Sequence, residues 1–100
     1  MARETEASFQ TAVLAFARLH GWIAYHTHDA RRSNPGFPDL VLVRRERLVF
    51  AELKSDKGRE RPDQTVWLDA LEVVEKAAPD AVGVYLWRPS SWEQIRVVLT

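Results

Sequence analysis

Three residues in the middle of the chain have the types and the spacing of a site for metal or acid–base chemistry. Asp39 precedes the apolar run 40–43, and Glu52 and Lys54 end another apolar run that begins at Leu48. Two apolar runs joined by a short charged link predict a β-hairpin. Because side chains alternate along a strand, Glu52 and Lys54 face the same side, and Asp39 joins them if it points there too. Two carboxylates and an ammonium would then converge, a set that suits a hard divalent cation beside a phosphate.

The chemistry that this set permits is hydrolysis of a phosphodiester. That reaction needs an activated water, compensation for the charge that builds on phosphorus, and a stabilised leaving oxygen, and Mg²⁺ or Mn²⁺ can serve all three. Asp39 and Glu52 could supply carboxylate ligands, and the backbone carbonyl of Leu53 a third oxygen. Lys54 would bind the scissile phosphate or hold the attacking water. We therefore predict a divalent cation and no organic cofactor.

The elements that must position this set follow from hydrophobic periodicity. Apolar residues recur at helical spacing over 4–20 and again over 62–78, and short apolar runs at 22–25 and 82–87 predict two further strands. Residues 90–93 resemble a capping box before a final helix. The order α-β-β-β-α-β-α predicts an α/β fold, a small mixed sheet flanked by helices. A right-handed crossover would lay the last strand parallel to a neighbour.

Length and composition limit the classes of protein. One hundred residues predict a single domain over 1–100. The absence of cysteine excludes disulfides and thiolate metal sites, and it fits a reducing cytoplasm. No apolar run approaches the ~20 residues that span a bilayer, so we expect no membrane partner.

Charge is uneven although the formal net charge is zero. Residues 29–61 carry nine Lys/Arg against six Asp/Glu, whereas residues 62–100 carry three against six. A locally basic surface on a neutral protein is typical of phosphate binding. We predict nucleic-acid contacts from six residues of this segment: His28, Arg31, Arg32, Lys57, Arg59 and Arg61. His26 and His28 alternate on an extended segment, but two histidines without a third ligand make a weak metal site.

The set Pro38-Asp39 and Glu52-Leu-Lys54 resembles the PD-(D/E)xK nuclease motif, and the predicted element order matches the restriction-endonuclease-like core of that superfamily. Within it the chain resembles the VRR-NUC domain, the virus-type replication–repair nuclease. The resemblance extends over almost the whole chain, through Glu6-Ala-Ser-Phe-Gln10, Gly36-Phe-Pro-Asp39-Leu, Phe50-Ala-Glu52-Leu-Lys54-Ser, Lys57-Gly58, Gln64 and Trp67-Leu-Asp-Ala-Leu71.

The resemblance implies roles for two more residues and a substrate. Glu6 would project from the first helix toward the metal, directly or through water. Gln64 would stand beside Lys54 at the start of the second helix, where its amide could orient water or contact a phosphate. Free-standing phage and bacterial members resemble four-way (Holliday) junction resolvases that act in DNA repair as homodimers. A two-fold symmetric junction and one site per chain call for two subunits.

Two alternatives remain from the residues alone. The chain could be a DNA-binding module on a nuclease fold that has lost catalysis, or a nuclease without selectivity for branched DNA, acting on DNA or RNA. Carboxylates that repel phosphate argue against the first alternative, while nothing in the sequence distinguishes a reader of the 2′-hydroxyl. We expect the protein in the cytoplasm of a bacterial cell or of a phage-infected host.

Overall fold

A computed structural model describes residues 5–27 and 34–100 of the chain. Its elements confirm the predicted α/β fold and element order, with a 3₁₀ turn at Pro89–Ser91 before the last helix. Within the described residues, no helix combines the length and the apolar character needed to cross a membrane. The elements are α1 Glu6–Leu19, β1 Ile23–His26, β2 Leu40–Arg44, β3 Arg47–Leu53, α2 Pro62–Ala77, β4 Val82–Trp87 and α3 Trp92–Leu99.

The four strands form one mixed sheet in the order β1-β2-β3-β4. β1, β2 and β3 pair antiparallel, and β4 pairs parallel with β3, as a crossover through α2 predicts. β3 is therefore flanked on both edges. Its pairing with β2 ends at Leu40 opposite Ala51, so Asp39 and Glu52 lie just beyond the last regular pair.

Each face of the sheet has its own core. Alternate residues of the strands, such as Leu42, Ala51 and Trp87, join Phe9 of α1 and Ile95 of α3 in the larger cluster. The intervening residues point to the opposite face, where Leu68 of α2 packs with Val82, Val84 and the partly buried Phe50. Glu52 belongs to the second set by this alternation, so the predicted site lies on the α2 face of the sheet.

Gly21 ends α1 as its position in the sequence predicts. Its φ is +85°, and its N–H donates to the carbonyl of Arg18, while the next N–H, of Trp22, donates to the carbonyl of Ala17. These two bonds form a Schellman motif, which satisfies the last carbonyls of the helix. The chain reverses there and enters β1.

The start of α3 differs from the prediction. The expected capping box over residues 90–93 is wrong, because Ser91 accepts from the N–H of Arg88 at 3.0 Å and closes a 3₁₀ turn that begins at Pro89. Glu93 instead pairs with Arg96 one turn along the helix, at 2.9 Å. Because Ser90 and Ser91 are adjacent, the sequence is compatible with a helical turn that starts at either of two positions. Pro89 favours the earlier start.

The loop before Asp39 is locked against the start of α2. Gly36 has φ +85°, and a Cβ built on it would lie 2.2 Å from the backbone oxygen of Asp63. Trp67 of α2 donates from its indole to the carbonyl of Pro35 at 3.1 Å and meets the ring of Phe37 edge-on at 5.1 Å. Only glycine allows this approach, which fixes the position of Asp39 relative to α2.

We expect Gly36→Ala to destabilise the fold much more than Gly21→Ala. Both sites share the left-handed conformation, which costs a residue with a Cβ about 1–2 kcal/mol. A Cβ on Gly21 would make only an ordinary van der Waals contact, 3.8 Å from Cδ of Arg44, whereas one on Gly36 would collide with backbone. We expect a loss of about 3 kcal/mol or more at Gly36 in urea unfolding. Equal losses for the two variants would contradict the docking of this loop on α2.

Candidate active site

Asp39 and Glu52 brace each other where the β2–β3 ladder ends. The Asp39 carboxylate accepts from the N–H of Leu53 at 2.8 Å, and the Glu52 carboxylate accepts from the N–H of Asp39 at 3.3 Å. Side chains thus replace the backbone partners that the next ladder pair would provide. The two acids predicted from the sequence are brought together, on one face of the sheet.

Burial sets the electrostatics of this pair. Glu52 is 1% exposed. Burial first, and then the hydrogen bond and negative charge of Asp39, raise the pKa of Glu52 to about 8, while the Lys54 ammonium acts in the opposite direction. Two carboxyl groups this close disfavour being charged together. A cation between them would relieve that cost.

Lys54 and Leu53 complete the predicted set on β3. The Lys54 ammonium lies 3.6 Å from the Glu52 carboxylate and is almost fully buried. Since the N–H and C=O of one strand residue point to the same edge, the Leu53 carbonyl lies on the edge where its N–H meets Asp39. A third oxygen donor is therefore available beside the two carboxylates.

Gln64, the third residue of α2, reaches back to the N-cap residue Arg61 and also contacts Glu52. Its side-chain oxygen accepts from the N–H of Arg61 at 2.8 Å, and its amide nitrogen donates to the Glu52 carboxylate in a short contact. The first bond leaves the NH₂ group only one orientation, toward the acid. The sequence predicted that Gln64 stands beside Lys54 with an amide that could orient water or contact a phosphate; in the structure its donor is engaged by Glu52, which Lys54 also contacts.

A cleft of about 250 Å³ opens above these residues. Glu6 of α1 lines it, as do Asn34 and Asp63, which sequence reasoning did not select. Among residues 5–27 and 34–100, no three His, Cys, Asp or Glu side chains cluster closely enough to ligate one ion. The donors present, two carboxylates and a carbonyl, are hard oxygens that fit Mg²⁺ or Mn²⁺. Direct ligation by Glu6 stays a prediction.

The basic loop after β3 is held by a residue that sequence reasoning missed. Arg88 follows β4, and its guanidinium donates to the carbonyls of Ser55 and Gly58 at 2.7 and 2.6 Å. The loop carries Lys57 and Arg59, which are both exposed. The available signal was a basic residue directly after β4, because β4 is parallel to β3 and the carboxyl ends of parallel strands meet at one edge of the sheet.

The other predicted nucleic-acid contacts divide between described and undescribed parts of the chain. Arg61 lines the cleft, and its side chain is 60% exposed, 3.3 Å from Asp63. His28, Arg31 and Arg32 lie outside the described residues, so their roles stay predictions. His26 is within 3.5 Å of Gln10 through its ring nitrogen Nδ1.

We expect the stability of the metal-free protein to fall as pH rises between about 4.5 and 8. The unfolded chain releases the Glu52 proton near pH 4.5, whereas the folded chain keeps it until about pH 8. The free energy of unfolding is therefore highest below the pKa of the unfolded chain. It falls as pH rises toward the pKa of the folded chain, by up to about 1 kcal/mol per pH unit. Glu52→Gln removes this slope. Urea unfolding in EDTA across this range measures it.

The matched control is Glu93→Gln, which changes an exposed acid on α3 whose side chain is 83% accessible. It should leave the pH dependence as in the wild type. An unchanged slope in Glu52→Gln would mean that another group carries the dependence.

Comparison with known proteins agrees with this geometry. Residues 3–76 match the family model of the VRR-NUC domain. No curated protein matches the chain. The matched segment runs from α1 through β3 into α2, and it contains Glu6, Asp39, Glu52, Lys54 and Gln64. Because the match extends over most of the chain, it establishes the family and the class of activity. The chain belongs to the VRR-NUC family, nucleases of the PD-(D/E)xK type.

Proposed function

We propose that the protein is a Mg²⁺- or Mn²⁺-dependent endonuclease that hydrolyses internal phosphodiester bonds in DNA, with selectivity for four-way junctions and two subunits per junction. The observation that carries the proposal is the burial of Glu52 against Asp39 and beside Lys54. A buried carboxylate beside a second acid, with one ammonium, is costly for a protein that only needs to fold.

Metal dependence is supported by the charge of the cleft. Its described lining contains four acids and two bases, namely Glu6, Asp39, Glu52, Asp63, Lys54 and Arg61. A net negative cleft repels a phosphodiester, whose own charge is negative. With all four acids ionised, one divalent cation would bring the formal charge of this lining from −2 to 0 and so remove the net repulsion of the substrate.

Each described side chain has a task in the proposed reaction. Asp39, Glu52 and the Leu53 carbonyl would hold the cation. When bound, Mg²⁺ supplies an activated water and neutralises charge on the phosphate. Lys54 would contact the phosphate or the attacking water. The Gln64 amide fixes the Glu52 carboxylate, so one oxygen of that acid keeps its place while the substrate binds.

Selectivity for branched DNA and the homodimer rest on the family resemblance and on symmetry. One chain has one such cleft among its described residues, and the two cuts that resolve a junction are related by a two-fold axis. Two subunits supply those cuts.

The alternative function is a DNA-binding module without catalysis. Intact Asp39, Glu52 and Lys54 argue against it, because a binding module gains nothing from a buried Glu52 carboxylate beside Asp39 when both acids oppose phosphate. The effect of metal on unfolding separates the two functions, since a cation bound only by the folded state raises the melting temperature.

We expect metal-dependent nicking that requires Glu52. The purified protein is incubated with a labelled four-way junction, a matched linear duplex and single-stranded DNA, each in EDTA, Mg²⁺ or Mn²⁺. Symmetric nicks on the junction alone are the expected result, and Glu52→Ala should lose cleavage by a factor of about 100 or more while keeping its circular dichroism spectrum. Cutting of all three DNAs would retain the nuclease and remove the junction selectivity.

Two outcomes would overturn more than the selectivity. Cleavage by wild type in EDTA would contradict metal dependence. Binding of DNA without cleavage under every condition, and without a metal-induced rise in melting temperature, would favour the binding module.

We expect Arg59→Ala combined with Arg61→Ala to weaken DNA binding and to flatten its salt dependence. Each phosphate contact that is lost lowers the magnitude of the slope of log K against log salt by about 1. Arg96→Ala is the control, because that side chain is 61% exposed, close to the 60% of Arg61, but lies on α3. Fluorescence anisotropy over a salt series measures the slope. Equal slopes in the double variant and the wild type would remove these arginines from the DNA surface.

A further inference from the structure

The α2 face of the sheet is only half covered by the described residues. α2 packs on β3 and β4 through Leu68, while α1 and α3 together cover the opposite face. The described residues leave β1 and β2 uncovered on this face, and these are the bare strands. Neighbouring strands lie about 4.8 Å apart, so the bare strands leave a width of about 10 Å, which is the diameter of one helix. Ile23, Tyr25 and Val43 point into this space with exposures of 75, 57 and 37%.

α2 carries the complementary surface on its outer side. Leu68 and Leu71 of the helix belong to the cluster on the sheet. Val66 and Val73, seven residues apart, therefore lie on one line along the back of the helix, with exposures of 69 and 68%. Surface helices normally present charged or polar residues there, so valines at this position need an explanation.

The flank of α2 that faces the bare strands is apolar as well. Trp67 marks this flank, because its ring meets Phe37 in the loop that leads into β2. Val74 lies seven residues further along the same line and is 50% exposed. Ala70 and Ala77, both exposed, lie between this flank and the back of the helix.

Most of the large exposed apolar side chains belong to this region. Of the eight in the described residues, six lie here: Ile23, Tyr25, Val43, Val66, Val73 and Val74. Together they expose on the order of 600 Å², the upper limit for the largest patch of a typical monomer and close to the about 800 Å² per partner of a standard interface. The area is sufficient for a dimer and large for a surface that stays in water.

We propose that a second copy of this chain occupies the bare half of the sheet, placing its α2 over β1 and β2 while its own bare strands cover the back of the first α2. The proposal deepens the homodimer of the proposed function by naming the face that forms it. Each copy then supplies a helix for the half-sheet that the described residues of the other leave uncovered, and an apolar half-sheet for its outer valines. The two α2 helices would lie side by side in one layer between two sheets.

The same arrangement fixes the direction of the symmetry axis. Each α2 contacts the bare strands of the other copy. This reciprocal contact requires a two-fold axis that runs along the strands, between the two sheets. That rotation keeps the direction of α2, so the helices run parallel and each residue at the axis faces its own copy. Both clefts, which lie at the beginning of α2, would open at the same end of the dimer.

The test compares two valines that differ in location but not in exposure. Val73→Asp is on the proposed face, and Val97→Asp, on α3, changes a valine that is 73% exposed. Light scattering after size exclusion should give wild type and Val97→Asp twice the 11.5 kDa of one chain, and Val73→Asp one chain. We expect the dimer dissociation constant of Val73→Asp to rise on the order of 100-fold or more, because a carboxylate is buried without a partner.

A cross-link provides a second readout that does not depend on a disruptive charge. The chain has no cysteine, so Val74→Cys introduces the only thiol and should form a disulfide with its own copy under mild oxidation. Val97→Cys, the matched control, should not. If Val73→Asp loses its circular dichroism spectrum, Ile23→Asp tests the same face from the sheet side.

Four results would overturn the proposal: a monomeric wild type at every concentration, a dimeric Val73→Asp, dissociation by both aspartates, or no cross-link at Val74→Cys. A monomeric wild type whose DNA binding falls in Val73→Asp would instead assign the face to nucleic acid. Metal-dependent nicking of any strand of the four-way junction, measured on the same samples, reports the nuclease separately from the pairing of the two cuts, so loss of the dimer and failure of the proposed function remain distinguishable.

Discussion

The Glu52 carboxylate is buried beside a second carboxylate, and three polar groups from three parts of the chain hold it there. The Asp39 N–H precedes β2, the Lys54 ammonium follows β3, and the Gln64 amide belongs to α2. A buried acid needs such partners, because an unpaired charge would cost several kcal/mol. Satisfying this one group therefore fixes where a hairpin and a helix meet, and the cleft is the space that remains between them.

The same arrangement that favours binding of a cation destabilises the fold when no cation is bound. Burial of Glu52, and then its hydrogen bond with Asp39 and the charge of that residue, raise the pKa of Glu52 to about 8, so near neutrality the metal-free protein keeps a proton that water would remove. An apolar pair in the same place would stabilise the fold without that conflict. Active sites commonly retain such unfavourable contacts because the ligand relieves them. The conflict is local, since the remaining core on the other face of the sheet is wholly hydrophobic.

The sequence predicted the fold and the convergence of Asp39, Glu52 and Lys54, because strand alternation and a short hairpin determine which side chains share a face. It did not predict the partner of Gln64, since that depends on the angle at which α2 meets β3. It did not identify Arg88 either, whose carbonyl partners are about thirty residues away in the chain. The capping box before α3 was misplaced because two serines offer competing local registers. Predictions from local sequence were incomplete where tertiary packing determines which of several local structures forms.

The edge of β3 that faces β4 has a consequence for when the protein becomes active during synthesis. The Lys54 N–H donates to the carbonyl of Trp87, and Arg88 holds the loop after β3, yet β4 follows the segment 3–76 that carries the family match. A nascent chain that has exposed the hairpin and α2 still presents β3 as an open edge strand, with the backbone of Lys54 unpaired. We expect the site to stay incomplete until β4 has emerged and paired with β3, because only then are the backbone of Lys54 and the loop after β3 held in place.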